Sequence, residues 1–513
     1  MFVKKLWAGV KWVLRKVFSK RFLLTAACLL LLLVATVVIT HVVFNKQAEE
    51  RWVETEKAWS EYLGEGDREK RFPDVQAEED FLLHPAVIAQ LKPDEAGLAT
   101  IWDMKFEGFD YRDDYFRPRS EEDWKYMVEG QEFSSRREAA QFLLDALKEK
   151  EEQIMGIEEA LDTRVKLRAN RADEMDVREI VDMRMASMAL MPLSRFYESR
   201  ARLHIYVGDG EAAIQDMRRH AQVSDLQRQE GNLVAYLVTA SLDAGWMDVL
   251  EIGFESHVWD LQQLNRLEKL LPARDWHAYF IESIKGEYYH TKDMMALVRE
   301  HGQKKLLKMA HESFKDTRDE VLAAVFDQEV VEEGYGLEYF IADMMLHLVP
   351  ENYSMDQTSK VYSLLLSHFE SFQNDRSIVD YRNRGAQQWA WYDDMAESLY
   401  TALAKQEMTA YRALAIQQIV KASLAAEKYY LNHGRYPDEL SQLIPEYLNA
   451  ELGDPFSDDV IQYRIDEKGA PLLWSVGPSA VDQGYDHIPS RFDEDENYIY
   501  FGWGEKLNES TER

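Results

Sequence analysis

A continuous apolar run near the N-terminus constrains this chain more than any other feature. Residues 22–44 carry no charged side chain and are apolar apart from three threonines, Cys28 and His41. As a helix, these residues extend about 34 Å, which is enough to cross the hydrocarbon core of a bilayer. The run therefore predicts a transmembrane helix at 22–44, with membrane lipid as its partner.

The charges on either side of this run indicate its orientation. Residues 1–21 contain seven Lys or Arg residues and no acidic one, whereas Glu49, Glu50, Glu54 and Glu56 follow the run. Because positive loops stay on the cytoplasmic side, we expect a cytoplasmic N-terminus, with everything after residue 44 outside the cytoplasm. A cleaved signal peptide is the alternative interpretation, but its apolar core would span only about 7–15 residues.

Residues 1–21 also have an amphipathic pattern. Leu6, Val10, Val13 and Val17 recur at near-helical spacing between lysines. Such a segment suits a short helix lying on the anionic inner leaflet. We predict a basic cytoplasmic amphipathic segment at 1–21.

Composition limits the function classes. The chain has 60 basic and 92 acidic residues, a net charge of −32, which repels nucleic-acid phosphates and predicts no nucleic-acid partner. Cys28 is the single cysteine, so neither an intramolecular disulfide nor a cysteine zinc cluster can form. The sequence has no Gly-rich phosphate loop, nucleophile elbow or zinc-protease motif. We therefore predict that the protein is not an enzyme.

The sequence after the membrane segment predicts a stalk followed by a long helical region. Residues 45–63 favour a helix that ends at Gly64, and we expect residues 45–135 to form a stalk and an irregular juxtamembrane region. From 136 to 403 the apolar spacing is helical almost throughout, which predicts an all-helical domain. The segment from Leu203 to Ile214 resembles the turn between the two helices of a tetratricopeptide unit. A solenoid-like domain or an irregular bundle both fit this pattern.

Residues 404–504 have a different pattern. We predict a long helix over 404–431, with Gly434 suited to its C-terminal cap, and a short helix over 438–448. Alternating apolar residues then predict strands at 461–465, 472–476 and 498–503. This order describes a small α+β domain, followed by a disordered tail at 505–513.

The C-terminal motifs resemble the globular half of the major pseudopilin of type II secretion. The motifs are, in order, Glu427-Lys428-Tyr429-Tyr430, Gly434-Arg435-Tyr436-Pro437, Asp454-Pro455-Phe456 and Ser475-Val476-Gly477-Pro478. The whole chain also resembles uncharacterised membrane-anchored proteins of planctomycetes and verrucomicrobia, which have no assigned activity. The resemblance implies a mainly α protein with a pseudopilin-like C-terminal domain, anchored in a bacterial inner membrane with its ectodomain in the periplasm.

Two departures from the pseudopilin pattern limit what the resemblance implies. The residues around Lys20-Arg21-Phe22 lack the Gly-Phe processing site and the early Glu of a prepilin. The pilin-like helix also lies far along the chain from the membrane segment. We therefore expect no filament subunit assembled by the ordinary route.

The resemblance also implies a calcium loop. In this chain the corresponding loop runs from Ser479 to His487 and offers the carboxylates of Asp482 and Asp486 as metal ligands. Calcium takes six to eight oxygens, so two carboxylates leave both a calcium site and a purely structural loop open. We predict no other cofactor.

These observations favour a membrane-anchored extracytoplasmic interaction or scaffold protein with protein partners. One alternative is an accessory component of a type II secretion or pilus-like machine. The other is an extracytoplasmic enzyme, which the absent motifs disfavour.

Overall fold

The structure is a computed structural model that describes residues 20–91, 133–167, 186–306 without 272 and 304, 350–374, 393–477 without 458, 467 and 468, and 499–502. It is mainly helical with a small sheet. The α-helices are α1 (Lys20–Leu63), α2 (Asp67–Arg71), α3 (Pro85–Leu91), α4 (Arg136–Leu147), α5 (Glu151–Thr163), α6 (Ala186–Val207), α7 (Gly210–Arg228), α8 (Leu233–Glu255), α9 (Leu261–Leu270), α10 (Trp276–His301), α11 (Tyr353–Asn374), α12 (Asp394–Lys405) and α13 (Glu407–His433). Short 3-10 helices occupy Lys148–Lys150 and Leu440–Leu443, and the strands are β1 (Gln462–Ile465), β2 (Pro471–Ser475) and β3 (Ile499–Gly502).

Helix α1 runs without a break through the predicted membrane segment and into the folded body. Its backbone is helical from Lys20 to Leu63, and Gly64 follows with φ +80°, a conformation that favours glycine. The predicted helix over 45–63 and its end at Gly64 are therefore confirmed.

One face of the outer part of α1, which the sequence predicts to be a stalk helix, is buried. Trp52 and Trp59, two turns apart on one face, are both fully buried. The indole nitrogen of Trp59 donates to the Tyr362 carbonyl at 3.0 Å, and its ring stacks on Tyr288 with centroids 4.5 Å apart. Residues 45–63 thus form part of the core, packed against α10 and α11.

A charged contact reinforces this packing. The carboxylate of Asp356, at the start of α11, is buried and pairs with Arg51 of α1. Lys360 lies 2.8 Å from the other oxygen of the same carboxylate. A buried carboxylate is costly without partners, and both cations offset that cost. The pair with Arg51 crosses between the helices and holds α11 in register with α1, whereas Lys360 lies on α11 itself.

Helices α6 and α7 form the tight helical hairpin that the sequence predicts. Gly208 has φ +86°, and the Asp209 side chain caps α7 by accepting from the Ala212 N–H at 2.9 Å. A Cβ on Gly210 would come within 2.8 Å of the Val258 carbonyl oxygen, so only glycine fits there. A solenoid built from such hairpins stays a prediction.

Helix α8 owes its apolar character to its place in the core. By length and composition, the most apolar 18-residue window of α8 could also cross a membrane. However, 61% of that window is buried inside the protein. Tyr236, Trp246, Leu250 and Phe254 are among its buried residues, so α8 has the burial of a core helix.

The C-terminal unit packs α13 against an antiparallel sheet in the order β1-β2-β3. Tyr463 pairs with Leu473, and Leu473 pairs with Phe501. The three predicted strands are thus present, each within a residue or two of the expected bounds. Leu473 shares one hydrophobic cluster with Trp246 of α8 and Val420 of α13, so the core continues across the expected boundary at residue 404.

A buried carboxylate brings the separated C-terminal motifs together. Asp454 Oδ1 accepts from the Ser475 hydroxyl at 2.8 Å and from the Phe456 N–H at 3.0 Å. Its Oδ2 accepts from the Val476 N–H at 2.8 Å. Asp454 therefore ties the turn that precedes β1 to the end of β2.

The short helix predicted over 438–448 is wrong in type and length. The segment contains only the 3-10 helix Leu440–Leu443, and Ile444 leaves the helical region with ψ 135°. Pro445 explains the difference, because proline disfavours a helical residue before it and has no N–H to donate.

We predict that Trp59→Phe lowers the free energy of unfolding by about 1–3 kcal/mol, since it removes the hydrogen bond to Tyr362 and part of a buried ring. Urea unfolding of the detergent-solubilised chain, followed by circular dichroism, measures the change. Val53→Ala is the matched control, because Val53 lies on the same helix and is 51% exposed. Equal stability of the two variants would show that residues 45–63 do not belong to the core.

Candidate functional site

One cavity among the described residues lies where the helical body meets the C-terminal unit. It is a cleft with a volume of about 370 Å³ between α8, α13, the start of α10 and the loop 447–452. The residues that line it include Ala240, Asp243, Ala244, Trp246, Glu268, Trp276, Ala413, Ile416, Gln417, Val420, Lys421, Leu448, Asn449 and Glu451. We call it the junction cleft.

Small residues on facing helices leave room for the junction cleft. Ala240 and Ala244 lie one turn apart on α8, and Ala413 faces the same cleft from α13. The rings of Trp246 and Trp276 are almost fully buried beside them. The cleft thus has a wall of large, fixed apolar side chains next to a gap that alanine cannot fill.

Lys421 is the one basic side chain among the described residues that line the junction cleft. It is half-buried, and burial lowers its pKa with no offsetting effect from a neighbouring carboxylate. Within the described part of the chain, no ion pair or hydrogen bond to the Lys421 ammonium is present. The described part of the chain therefore supplies no counter-ion to this cation.

Two carboxylates that line the junction cleft are bound to other cations. Asp243 Oδ2 accepts from Arg274 Nε at 2.7 Å. Glu268 Oε2 lies 2.7 Å from the ammonium of Lys428. The third carboxylate of the lining, Glu451, is exposed to solvent. Among the described residues, none of these three carboxylates forms an ion pair with Lys421.

The beginning of α10 is fixed to α13 beside the cleft. The backbone N–H of Arg274 donates to Gln417 Oε1 at 3.1 Å, and its side chain also reaches Asp225 at 2.9 Å. Together with the Asp243 pair, these bonds hold one side of the cleft in place. The site is therefore largely preformed, as small-molecule sites usually are.

A second contact holds the C-terminal unit on the helical body. His257, which follows α8, has Nδ1 2.8 Å from Glu427 Oε1, and the Tyr436 hydroxyl donates to Glu427 Oε2 at 2.8 Å. The His257 ring stacks on Tyr430 with centroids 4.6 Å apart. Glu427 is buried, so it depends on both donors.

The metal ligands suggested by the sequence lie outside the described residues. Asp482 and Asp486 both fall in 478–498, so the calcium loop stays a prediction. Within the described ranges, no group of three or more His, Cys, Asp or Glu side chains is arranged to hold a metal ion.

Sequence reasoning did not find the junction cleft. Lys421 interrupts the apolar stretch of α13 between Val420 and Ala422, which is the one local sign of an unusual lysine. The residues that surround it come from segments up to 200 positions away, and the sequence alone does not bring them together. Comparison with known proteins identifies no relative, since no family model, curated protein or solved structure matches the chain.

The contact between His257 and Glu427 generates a prediction about pH. The hydrogen bond that His257 donates to the Glu427 carboxylate raises the pKa of His257 above its usual value, which is about 6.5 in unfolded chains. The stabilisation is fully present below that unfolded value and is lost as the pH rises through the folded pKa. The difference in unfolding free energy between the native chain and His257→Asn should therefore shrink as the pH rises from about 5.5 to 8.

Asparagine suits this test because His257 has φ +45°, a left-handed conformation that asparagine tolerates. Other histidines are common to both proteins, so their titration cancels in the difference. Urea unfolding at several pH values provides the measurement. A difference that stays constant with pH would contradict the charged contact.

Proposed function

We propose that this protein is a membrane-anchored scaffold whose ectodomain is held directly against the outer face of a bacterial inner membrane. One observation carries the proposal. Helix α1 includes the segment expected to span the bilayer, and its outer part is buried in the core. The helix thus joins the anchor to the ectodomain without an intervening linker.

Contacts at the end of the expected membrane segment support this arrangement. The ring of Phe44 stacks on Tyr353 with centroids 6.3 Å apart. One residue later, Asn45 Oδ1 accepts from the Asn352 N–H at 3.0 Å. The start of α11 therefore lies beside the residues at which α1 would leave the bilayer, and aromatic rings are favoured at that interface.

Exposed apolar side chains on α1 support the anchor itself. Ile39 and Val42 are 63% and 64% exposed, although both are large aliphatic residues. Lipid would cover these side chains, which water otherwise contacts at a cost of about 25 cal/mol per Å².

The charge of the ectodomain favours a mechanical attachment over an electrostatic one. The whole chain has 60 basic and 92 acidic residues, and seven of the basic residues lie in 1–21. Residues 22–513 therefore have a net charge of −39 (53 − 92). Anionic lipid headgroups repel such a surface. Helix α1 is then what keeps the ectodomain near the bilayer, and its acidic surface is available to protein partners. The proposal assigns no catalytic activity.

Cysteine labelling tests the orientation. In a Cys28→Ser background, we expect Glu351→Cys to react with a membrane-impermeant maleimide in intact spheroplasts, and Lys11→Cys to react only after lysis. Labelling of Lys11→Cys in intact spheroplasts, or protection of Glu351→Cys there, would overturn the topology.

The same cysteine variants, purified into nanodiscs and labelled with a fluorophore, test the distance from the bilayer. Lipids with spin-labelled headgroups should quench a label at Glu351→Cys about as strongly as one at Lys46→Cys. Glu61→Cys is the control, since residue 61 lies about 22 Å further along α1. If the label at 351 is quenched no more than the label at 61, the ectodomain does not lie at the membrane surface.

The second candidate function is an accessory role in a type II secretion or pilus-like machine. The observation that favours it is the packing of α13 on a three-stranded sheet, with Asp454 joining the two motifs that resemble those of pseudopilins. Affinity capture of the full chain from native membranes, with Asp454→Ala as the comparison, tests this role. Recovery of secretion-system subunits that is lost in Asp454→Ala would support it, and their reproducible absence would exclude it.

A further inference from the structure

The junction cleft combines three properties that suit a small ligand. It has half-buried apolar side chains next to two buried tryptophans, an open cavity, and one cation for which the described residues supply no counter-ion. We propose that the junction cleft binds a small amphipathic monocarboxylate, with the ligand carboxylate paired to Lys421 and its apolar part against Ile416 and Leu448.

The charge of the junction cleft selects an anion. A half-buried ammonium is unfavourable until an opposite charge or hydrogen-bond acceptor reaches it. Asp243 and Glu268 contact Arg274 and Lys428, Glu451 is exposed to solvent, and none of the three forms an ion pair with Lys421 among the described residues. A ligand carboxylate supplies the missing charge and forms a charge-assisted hydrogen bond with the ammonium.

The number of cations sets the charge of the ligand. Phosphates and dicarboxylates carry two negative charges at neutral pH, and proteins bind them through several donors or bidentate arginine. Among the described residues that line the cleft, Lys421 is the single basic group. A monoanion is therefore the better match.

The size and lining of the cleft define the remainder of the ligand. Its volume of about 370 Å³ is near the lower end of small-molecule sites, which span roughly 300–1,000 Å³. Ile416 and Leu448 are half-buried and offer apolar surface but few hydrogen bonds. Trp246, Trp276 and Val420 also line the cleft but are at most 3% exposed. This surface suits an aromatic or aliphatic body that carries one carboxylate at its end.

The proposal is tested by isothermal titration of the full-length protein in nanodiscs, with empty nanodiscs as the reference. The probes are 4-phenylbutyrate and its neutral analogue 4-phenylbutanamide, which have nearly the same shape. We expect the acid to bind at least about tenfold more tightly than the amide, a difference of about 1.4 kcal/mol. If the two affinities are equal, or neither probe binds saturably, the proposal is overturned.

Variants locate the binding site. Lys421→Met, which keeps the length of the side chain but removes its charge, should abolish the preference for the acid, whereas Lys421→Arg should retain it. Lys269→Met is the matched control, because Lys269 is an exposed lysine outside the junction cleft. Ala244→Phe should fill the cleft and weaken both probes.

Thermal unfolding of each variant separates loss of the site from loss of the fold. An acid preference that persists in folded Lys421→Met would overturn the role of this lysine. If Lys421→Met does not fold, Ala244→Phe and the comparison of the two probes on the native chain decide the question. The result does not depend on membrane orientation, so it can fail while the proposed anchoring holds.

Discussion

The burial of one face of α1 is the interaction on which the rest of this architecture depends. Trp52 and Trp59 belong to the same hydrophobic cluster as residues of α8, α10, α11 and α12. Removing α1 would expose those partners at once. The helix that leaves the expected membrane segment is therefore also a central element of the fold, and this double role explains why two indole rings sit on what the sequence presents as a charged stalk.

A second cluster performs the corresponding role at the other end of the chain. Helix α13 packs on β2 through one part of its surface and on α8 and α9 through another. Its buried Glu427 contacts His257 of the helical body and Tyr436 of the C-terminal unit. Helix α13 carries both Glu427 and the cleft-lining residues Val420 and Lys421, so the shape of the junction cleft depends on how firmly α13 is held against the helical body.

The sequence predicted the features that depend on local patterns. Periodicity and turn chemistry were sufficient for the helix over 45–63, the glycine at 64, the hairpin around Gly208 and the three strands. They failed at the 438–448 helix, where Pro445 outweighed the apolar spacing. The burial of Trp59 and the isolation of Lys421 depend on long-range packing, which no local pattern reports. The pseudopilin-like resemblance and the calcium loop stay predictions.

The continuity of α1 has a mechanical consequence. Between residue 45 and Leu63 the helix contains neither glycine nor proline, the residues at which helices usually bend. An anchor in a bilayer of changed thickness alters its tilt. Helix α1 has 44 residues and is about 66 Å long. If it stays straight, a change in its tilt would also displace the helices that pack on its outer turns. In the proposed membrane arrangement, the folded part of the chain would therefore tilt together with the transmembrane segment.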